Sequence, residues 1–514
     1  MSRRTRWWAL AALALSMLTI GLDTTVLSVA LPTLAVDLHA STAQLQWFST
    51  SYTLVLAALL LPAGALGDRY GYKKMLLLAL LIFGASSVWC AYSGGADMLI
   101  FARVVLGVGA ALMIPLSMAV LPSIFPDADE RAHALTIWVT STAVGLPLGP
   151  IVGGWLLSHV WWGAIFLMNV PLVIVGLAAV AAFIPESRAS GSHPIDLLGV
   201  ALSSGGLAGL TFGFIRVGQE SWSDTLAWAA IGTGMLALTA FVAWQFRARR
   251  PLIDLELFGT PGFRWGTVVM TMMGLMMFGV LFALPLLFQS VQGASTLNTG
   301  LRLLPLIGGL LVGSRIVDRM GKRLGSGVTI AIGFALIAAG LAVGGQTTVT
   351  TPFWVVAAWQ AVIGAGMGLA MPTAMNAALN TLPPSRTGSG SALIQALRQA
   401  GGAIGVALLG TVLNAGYRSA TPRVPDHALQ HRIDESVSAG VAVAHATGRP
   451  DLLAAVQSAF VHGMSSMLWI SAAMAAVLTA VTLVAFRPQS SGRHHAHRGQ
   501  PGFADARESE YARR

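Results

Sequence analysis

An all-α polytopic membrane protein is the fold class this sequence predicts: two six-helix bundles plus two extra helices between them, about fourteen helices in all. Three observations predict it. The 514 residues are 55% hydrophobic and only 10% charged, against about 25% charged in an average soluble domain. The mean hydropathy is +0.70. The apolar residues also fall into runs of about 20, the length that spans a bilayer as a helix. This composition excludes a water-soluble enzyme. Gly is abundant but aperiodic, and Cys90 is the only cysteine, so collagen-like and disulfide frameworks are excluded as well.

Apolar spans cover about 8–31, 47–67, 75–92, 98–121, 134–157, 163–184, 196–216, 225–245, 264–288, 300–317, 326–344, 353–379, 389–413 and 463–486. The first follows Arg3, Arg4 and Arg6 as a signal peptide would. It is too long for one, lacks a small-residue cleavage site and contains Asp23, so it reads as a retained first helix. With both termini in the cytoplasm, the inside segments collect Arg69, Lys73, Lys74, Arg131, Arg188, Arg319, Lys322 and Arg323. The short outside loops near 32–46, 93–97, 158–162, 289–299 and 345–352 hold no Lys or Arg. That is the positive-inside pattern. The net charge of +10 is scattered between apolar spans, so a nucleic-acid partner is not expected; the bilayer is.

The first inside loop, Gly64 to Lys74 with Asp68, Arg69 and Gly71, is echoed by Ser314 to Arg323 with Asp318, Arg319 and Gly321. The Asp-to-Asp offset is 250 residues. Two six-helix halves account for roughly 190 of these, and an inserted pair supplies the rest. The expected organisation is a bundle at 1–190, an inserted pair at 191–250, a second bundle at 251–487, and a basic cytoplasmic tail at 488–514. Repeated halves with a site between them near the midplane are typical of secondary transporters. The segment 414–462 reads as a long polar outside loop, a lid or, more simply, a tolerated insertion. The tail histidines 494, 495 and 497 could bind metal, but a solvated tail on an anionic membrane surface is the simpler reading. No metal site is expected.

These motifs carry a family resemblance. The Gly64–Lys74 loop resembles the loop signature of the major facilitator superfamily, and the run from Leu99 to Ala110 around Arg103 resembles its helix-4 signature. Gly145, Gly149, Pro150, Gly153 and Gly154 resemble its antiporter motif in helix 5. Asp23, Thr25 and Pro32 in the run from Leu22, the run from Phe166 through Asn169 to Pro171, and the run from Leu252 to Phe258 resemble the fourteen-helix drug:proton antiporter branch. Leu106 and Ser28 depart from it, standing where that branch often has Gln and Asn. The resemblance spans about 8–486. It implies a proton-coupled exporter of hydrophobic, expectedly cationic drugs or antibiotics, working by alternating access in the plasma membrane as a monomer. No cofactor is then implied; the proton gradient is the energy source. An exporter of an endogenous metabolite or siderophore on the same fold is the alternative.

Asp23 is the only carboxylate placed well inside a span, roughly 22 Å along the helix from its inner end. Ionisable groups at such depth are usually functional. An acid held out of water can take up and release a proton as a cationic substrate leaves and arrives. Arg103 lies roughly 8 Å from the outer end of helix 4, in the same half of the membrane, where it would tune the acid or snorkel to headgroups. Asp68, Arg69, Gly71, Asp318 and Arg319 are expected to gate. Asp68 set against the cytoplasmic N-terminus of span thirteen, around Gly388–Ser391, would be favoured by the helix dipole and would bias the outward-facing state, a latch the resemblance implies. The glycines of helix 5 recur every fourth residue and permit close packing, and Pro150 favours a bend. Thr25, Asn376, Gln395, Arg398, Met273 and Phe278 are candidate cavity residues, and Gln289 and Arg302 lie near the outside. The methionines of span nine form either a soft pocket or a packing stripe. Span thirteen has no Asp or Glu, which argues against dication transport through a second carboxylate. No Walker-type loop is present, so direct ATP drive is not indicated. A polytopic enzyme or sensor would need a reactive cluster or signalling domain, and neither is visible.

Overall fold

The computed structural model describes residues 3–186, 196–220, 223–248, 251–382 and 387–485. Among them every regular element is a helix, as a chain in hydrocarbon requires, since only intrahelical bonds satisfy its backbone. The first group is α1 (Arg3–Asp37), α2 (Thr42–Tyr70), α3 (Tyr72–Ala91), α4 (Ala96–Ile124), α5 (Ala128–His159), α6 (Ala164–Leu167) and α7 (Asn169–Phe183). The pair α8 (Leu197–Gln219) and α9 (Thr225–Gln245) follows. The second group is α10 (Pro261–Leu286), α11 (Thr296–Arg302), α12 (Leu304–Gly344), α13 (Phe353–Leu379), α14 (Thr387–Ala420), α15 (His427–Glu435), α16 (Val437–Ala446) and α17 (Pro450–Ala485). Twelve segments are long and apolar enough to cross a membrane among the described residues. The helices α2 and α5, 29 and 32 residues long, stand beside them, so the arrangement is compatible with fourteen spans.

The first group packs on itself, α1 against α5 and α7 and α4 against α2 and α3. In the second, α10, α13, α14 and α17 pack around α12 and each other. The two groups meet where α2 crosses α14, α5 crosses α11 and α1 touches α10. Large apolar side chains such as Leu81, Ile174, Leu236, Val312 and Val484 are exposed on the rim, a surface suited to lipid. The pair α8–α9 falls between the two groups in sequence. α8 lies across their seam, packed on both α2 and α14, and its last turn accepts hydrogen bonds from Thr411 Oγ1 (to Phe214 O, 2.6 Å) and Asn414 Nδ2 (to Gly218 O, 2.9 Å). The start of α8 is tied by Asp196, whose carboxylate accepts from Gly199 N, Trp244 Nε1 and Gln245 Nε2. Although partial burial opposes ionisation there, these three donors outweigh it and hold the Asp196 carboxyl below its ordinary range.

Two expectations are corrected. The segment 414–462 is not a long loop. α14 runs on to Ala420, α17 starts at Pro450, and between them α15 and α16 fold onto the molecule. Tyr417 Oη donates to Ile433 O (2.8 Å), Thr42 Oγ1 to Glu435 O (2.7 Å), and Ser290 and Ser438 pair at 2.9 Å. Asp426 and Ser436 cap the two short helices, so polar sequence here encodes helix starts. The second correction concerns the repeated loop. Gly71 has φ +98° and separates α2 from α3, a conformation in which a Cβ is disfavoured. Its counterpart Gly321 is helical; the chain breaks four residues later, at Gly325 with φ +79°. The echo in sequence is therefore displaced by a helical turn in structure.

Candidate substrate and proton site

The helix α1 carries Asp23 into the first bundle, fully buried at 0% exposure, and α4 brings Arg103, 2% exposed, against it. Arg103 Nη1 donates to Asp23 Oδ2 at 3.0 Å. Arg103 Nε donates to the Phe48 carbonyl of α2 at 3.2 Å, and the guanidinium lies 4.6 Å from the centre of the Tyr52 ring. The second carboxylate oxygen accepts from Asn169 Nδ2 at 3.2 Å, and the same amide nitrogen lies 3.4 Å from Ser87 Oγ. Four helices thus converge on one ion pair. Such a pair is tolerated in a dry interior only when further hydrogen bonds support it; here both carboxylate oxygens and Arg103 Nε are bonded, while the buried Asn169 Oδ1 and Tyr52 Oη have no hydrogen-bond partner. Asn169 was part of a motif in the sequence but had no assigned role. It reaches Asp23 because the sixth span breaks into α6 and α7, with Asn169 opening α7 and Pro171 in its first turn, where a missing N–H is harmless.

A small cavity of about 30 Å³ lies between the bundles. The first bundle contributes Thr24, Leu27, Ser28, Leu31, Ser49, Tyr52, Thr53 and Arg103, and the second Phe278, Leu281, Phe282 and Val406. Asp23 does not line it. The wall there is Arg103 and Tyr52, and the carboxylate is bonded to the guanidinium from behind. Ser28 lines the cavity with its hydroxyl given to Thr25 O at 2.7 Å, and Leu106 is buried.

The other expected cavity residues divide. Phe278 lines the space. Met273, with Met270 and Met276, is buried in the core, so the methionine run is chiefly a packing stripe. Thr25 is turned away, because Gly149 of α5 packs directly on its hydroxyl and on the carbonyl of Leu22. Asn376 is exposed on α13, the helix face toward α10 being taken by Ala374 and Ala378. Gln395 and Arg398 are half-buried on α14, with Arg398 Nε donating to Gln395 Oε1 at 3.1 Å.

The antiporter-motif glycines serve two contacts. Gly145, Gly149 and Gly153 face α1, where a Cβ on the first would stand 2.7 Å from Leu18 O and one on the second 2.8 Å from Leu22 O. Gly154 and the Pro150 carbonyl face the other bundle, against Thr296 and Gly300 of α11. Only these two belong to the seam. Thr296 Oγ1 donates to Gly154 O at 3.2 Å, Gln289 Nε2 to Val29 O at 2.7 Å and Gln46 Nε2 to Val406 O at 3.5 Å. Among the described residues, the hydrogen bonds joining the two bundles all lie toward the face opposite the N-terminus. That face is closed.

Of the expected gate, Arg69 is exposed with its guanidinium 5.2 Å from the Tyr70 ring, and Arg319 is exposed. The side chains of Asp68, Asp318, Gly388 and Ser389 lie outside the described residues, as do the tail histidines. No cluster of three or more His, Cys, Asp or Glu suited to a metal occurs among the described residues.

A helical membrane protein built as two bundles around a shared cavity, tied at one face, is a transporter by design. Comparison with known proteins fixes the family. Residues 13–406 match the model of the Major Facilitator Superfamily, and the chain belongs to that family of transporters. It is 30% identical to the tetracenomycin C resistance and export protein of Streptomyces glaucescens, over 93% of this chain and 91% of that one. It is 31% identical to the multidrug efflux pump LfrA of Mycolicibacterium smegmatis, over 94% and 96%, and 31% to the methyl viologen resistance protein SmvA of Salmonella typhimurium, over 92% and 97%. Among solved structures, a bacterial homolog of the human lysosomal transporter Spinster in an inward-facing, unoccupied conformation superposes with a TM-score of 0.67 at 16% identity, covering 95% of this chain and 98% of that one.

Proposed function

We propose that the protein is a plasma-membrane exporter of hydrophobic drugs or antibiotics, driven by proton exchange. The bundles 1–190 and 251–487 are the rocking units of a single chain, and the pair in 191–250 straps their seam. The N-terminal face is cytoplasmic, so the seam is tied on the outside and the state is inward-facing. The observation that carries this reading is the ion pair of Asp23 and Arg103, fully buried and set directly behind the wall of the shared cavity.

The chemistry follows from charge. With Asp23 ionised, its carboxylate holds the Arg103 guanidinium against the cavity wall, beside Phe48 O and Tyr52. Protonation of the carboxyl removes the Coulombic tie and leaves a cation in a low-dielectric site, where an unpaired charge is expensive. Arg103 then moves toward whatever anion, acceptor or water the cavity offers. Substrate and proton thereby compete through one guanidinium, and α4 and α1 shift with it. Names of relatives support drugs and antibiotics as cargo; export of a self-made metabolite by the same cycle is the second reading.

Asp23→Asn keeps the volume and the hydrogen bond from Asn169 but cannot exchange a proton. In inverted vesicles it is expected to abolish gradient-driven dye or drug uptake while leaving the protein inserted and monodisperse. Undiminished drug-driven proton release by this variant refutes the assignment.

A further inference from the structure

Below the central cavity, toward the N-terminal face, α14 presents a second polar group. Gln399 and Val406 are seven residues apart and share one helix face, and Val406 lines the cavity. Gln395, one turn before Gln399, continues that line. Gln399 is only 4% exposed, and its Oε1 has no hydrogen-bond partner. Arg398 lies beside them. Its stem runs along α10 at Gly274, where a Cβ would stand 3.2 Å from its Cγ, one turn before the cavity-lining Phe278. Its Nε is drawn to Gln395 Oε1. Among the described residues no carboxylate pairs with it, whereas the fully buried guanidinium of Arg103 has Asp23.

Arg103 forms part of the cavity wall with its counter-ion behind it, and Arg398, about two turns from the cavity-lining Val406, is a second guanidinium with no carboxylate paired to it among the described residues. The free N–H groups of a guanidinium take a planar acceptor, and the unpaired Gln399 Oε1 takes a donor.

We infer that Arg398, with Gln395 and Gln399, is a substrate-binding site for the acidic, hydroxyl-bearing end of an amphipathic aromatic compound, an enolised diketone or a phenol beside a carboxylate, whose oxygen accepts from Arg398 and whose hydroxyl donates to Gln399 Oε1. The aromatic body lies against Phe278, Phe282 and Leu281. This deepens the exporter reading and rests on it only for direction of transport. It reverses the expectation of a cationic cargo, and it fits the lack of any Asp or Glu in span thirteen. The Asp23 pair carries the proton; Arg398 selects the cargo.

The test uses two xanthene dyes of one skeleton and opposite charge, fluorescein and rhodamine 123, with the purified full chain in detergent and fluorescence anisotropy as readout. Fluorescein is expected to bind the wild type at least about tenfold more tightly than rhodamine 123. Arg398→Gln is expected to weaken fluorescein roughly 10- to 100-fold, the range of one hydrogen bond to a charged group, and to leave rhodamine 123 unchanged or tighter. Gln399→Leu, which leaves the cation in place, should weaken fluorescein by a smaller factor and serves if Arg398→Gln does not fold. Tighter binding of rhodamine 123, no binding of fluorescein, or equal loss of both dyes in Arg398→Gln overturns the site. No gradient is needed, so failure here is separable from failure of proton coupling, which appears as normal dye binding with no gradient-driven uptake.

Discussion

In the first bundle a buried guanidinium is paired with a carboxylate; in the second a half-buried one has a single amide. Arg103 is held by Asp23, the Phe48 carbonyl and the Tyr52 ring, and the acid is held in turn by Asn169. Arg398 has Gln395. The second bundle also buries Gln360 with neither amide atom bonded. The two bundles thus hold a carboxylate-paired electrostatic unit and a more open one. A closed unit can store a protonation state, because changing it breaks bonds that nothing else supplies. An open unit waits for a ligand to complete it.

The largest expected effect tests that contrast directly. Arg103→Met strands a buried carboxylate and is expected to destabilise the protein by about 3–5 kcal/mol, read as a fall in thermal midpoint in detergent. Arg398→Met strands no acid and is expected to leave that midpoint the same or higher. Equal losses would erase the distinction between the bundles.

A smaller effect separates the helix-5 glycines from their surroundings. Gly149→Val drives side-chain atoms into Leu22 O and Thr25 on α1, an overpacking expected to cost about 1–3 kcal/mol. Gly308→Ala in α12, where nothing lies within 4 Å, is expected to be neutral or stabilising in the same melt. The two copies of the repeated loop differ likewise. Gly71→Ala forces a Cβ into positive φ and is expected to lose about 1–2 kcal/mol. Gly321→Ala, in a regular helix with open space around it, is expected to gain up to about 1 kcal/mol.

The least effect on stability is expected at the seam. Gln289→Ala removes one hydrogen bond between the bundles, about 0.5–1.5 kcal/mol. Its signature is conformational: spin labels placed on α5 and α11 near the outer face should show a larger fraction of long distances. An unchanged distribution would mean the backbone approach at Gly154 and Gly300 suffices to close that face.

The spans were legible because hydrocarbon imposes length and composition on every crossing helix, and only about 20 consecutive apolar residues satisfy it. Asp23 and Arg103 stood out for the complementary reason: an ionisable group in such a run is costly and needs a partner, and the two are paired. Their mutual contact was foreseeable only as shared depth. The folding of 421–449 was missed because short amphipathic helices leave little periodic signal, although Asp426 and Ser436 marked their starts. Thr25, Asn376 and Met273 were misplaced in the cavity, since depth along a helix can be counted from sequence but rotation about its axis cannot.

Sequence by itself determined which segments enter the bilayer, that two halves repeat, and which few charges lie inside. Tertiary structure alone decided that Asn169 completes the acid's shell, that Arg103 and not Asp23 faces the cavity, that α8 straps the seam, and that Arg398 stands without a carboxylate. Burying apolar surface in lipid is a property of each segment separately. Compensating a buried charge needs atoms from several helices at about 3 Å, and only their packing brings those atoms together.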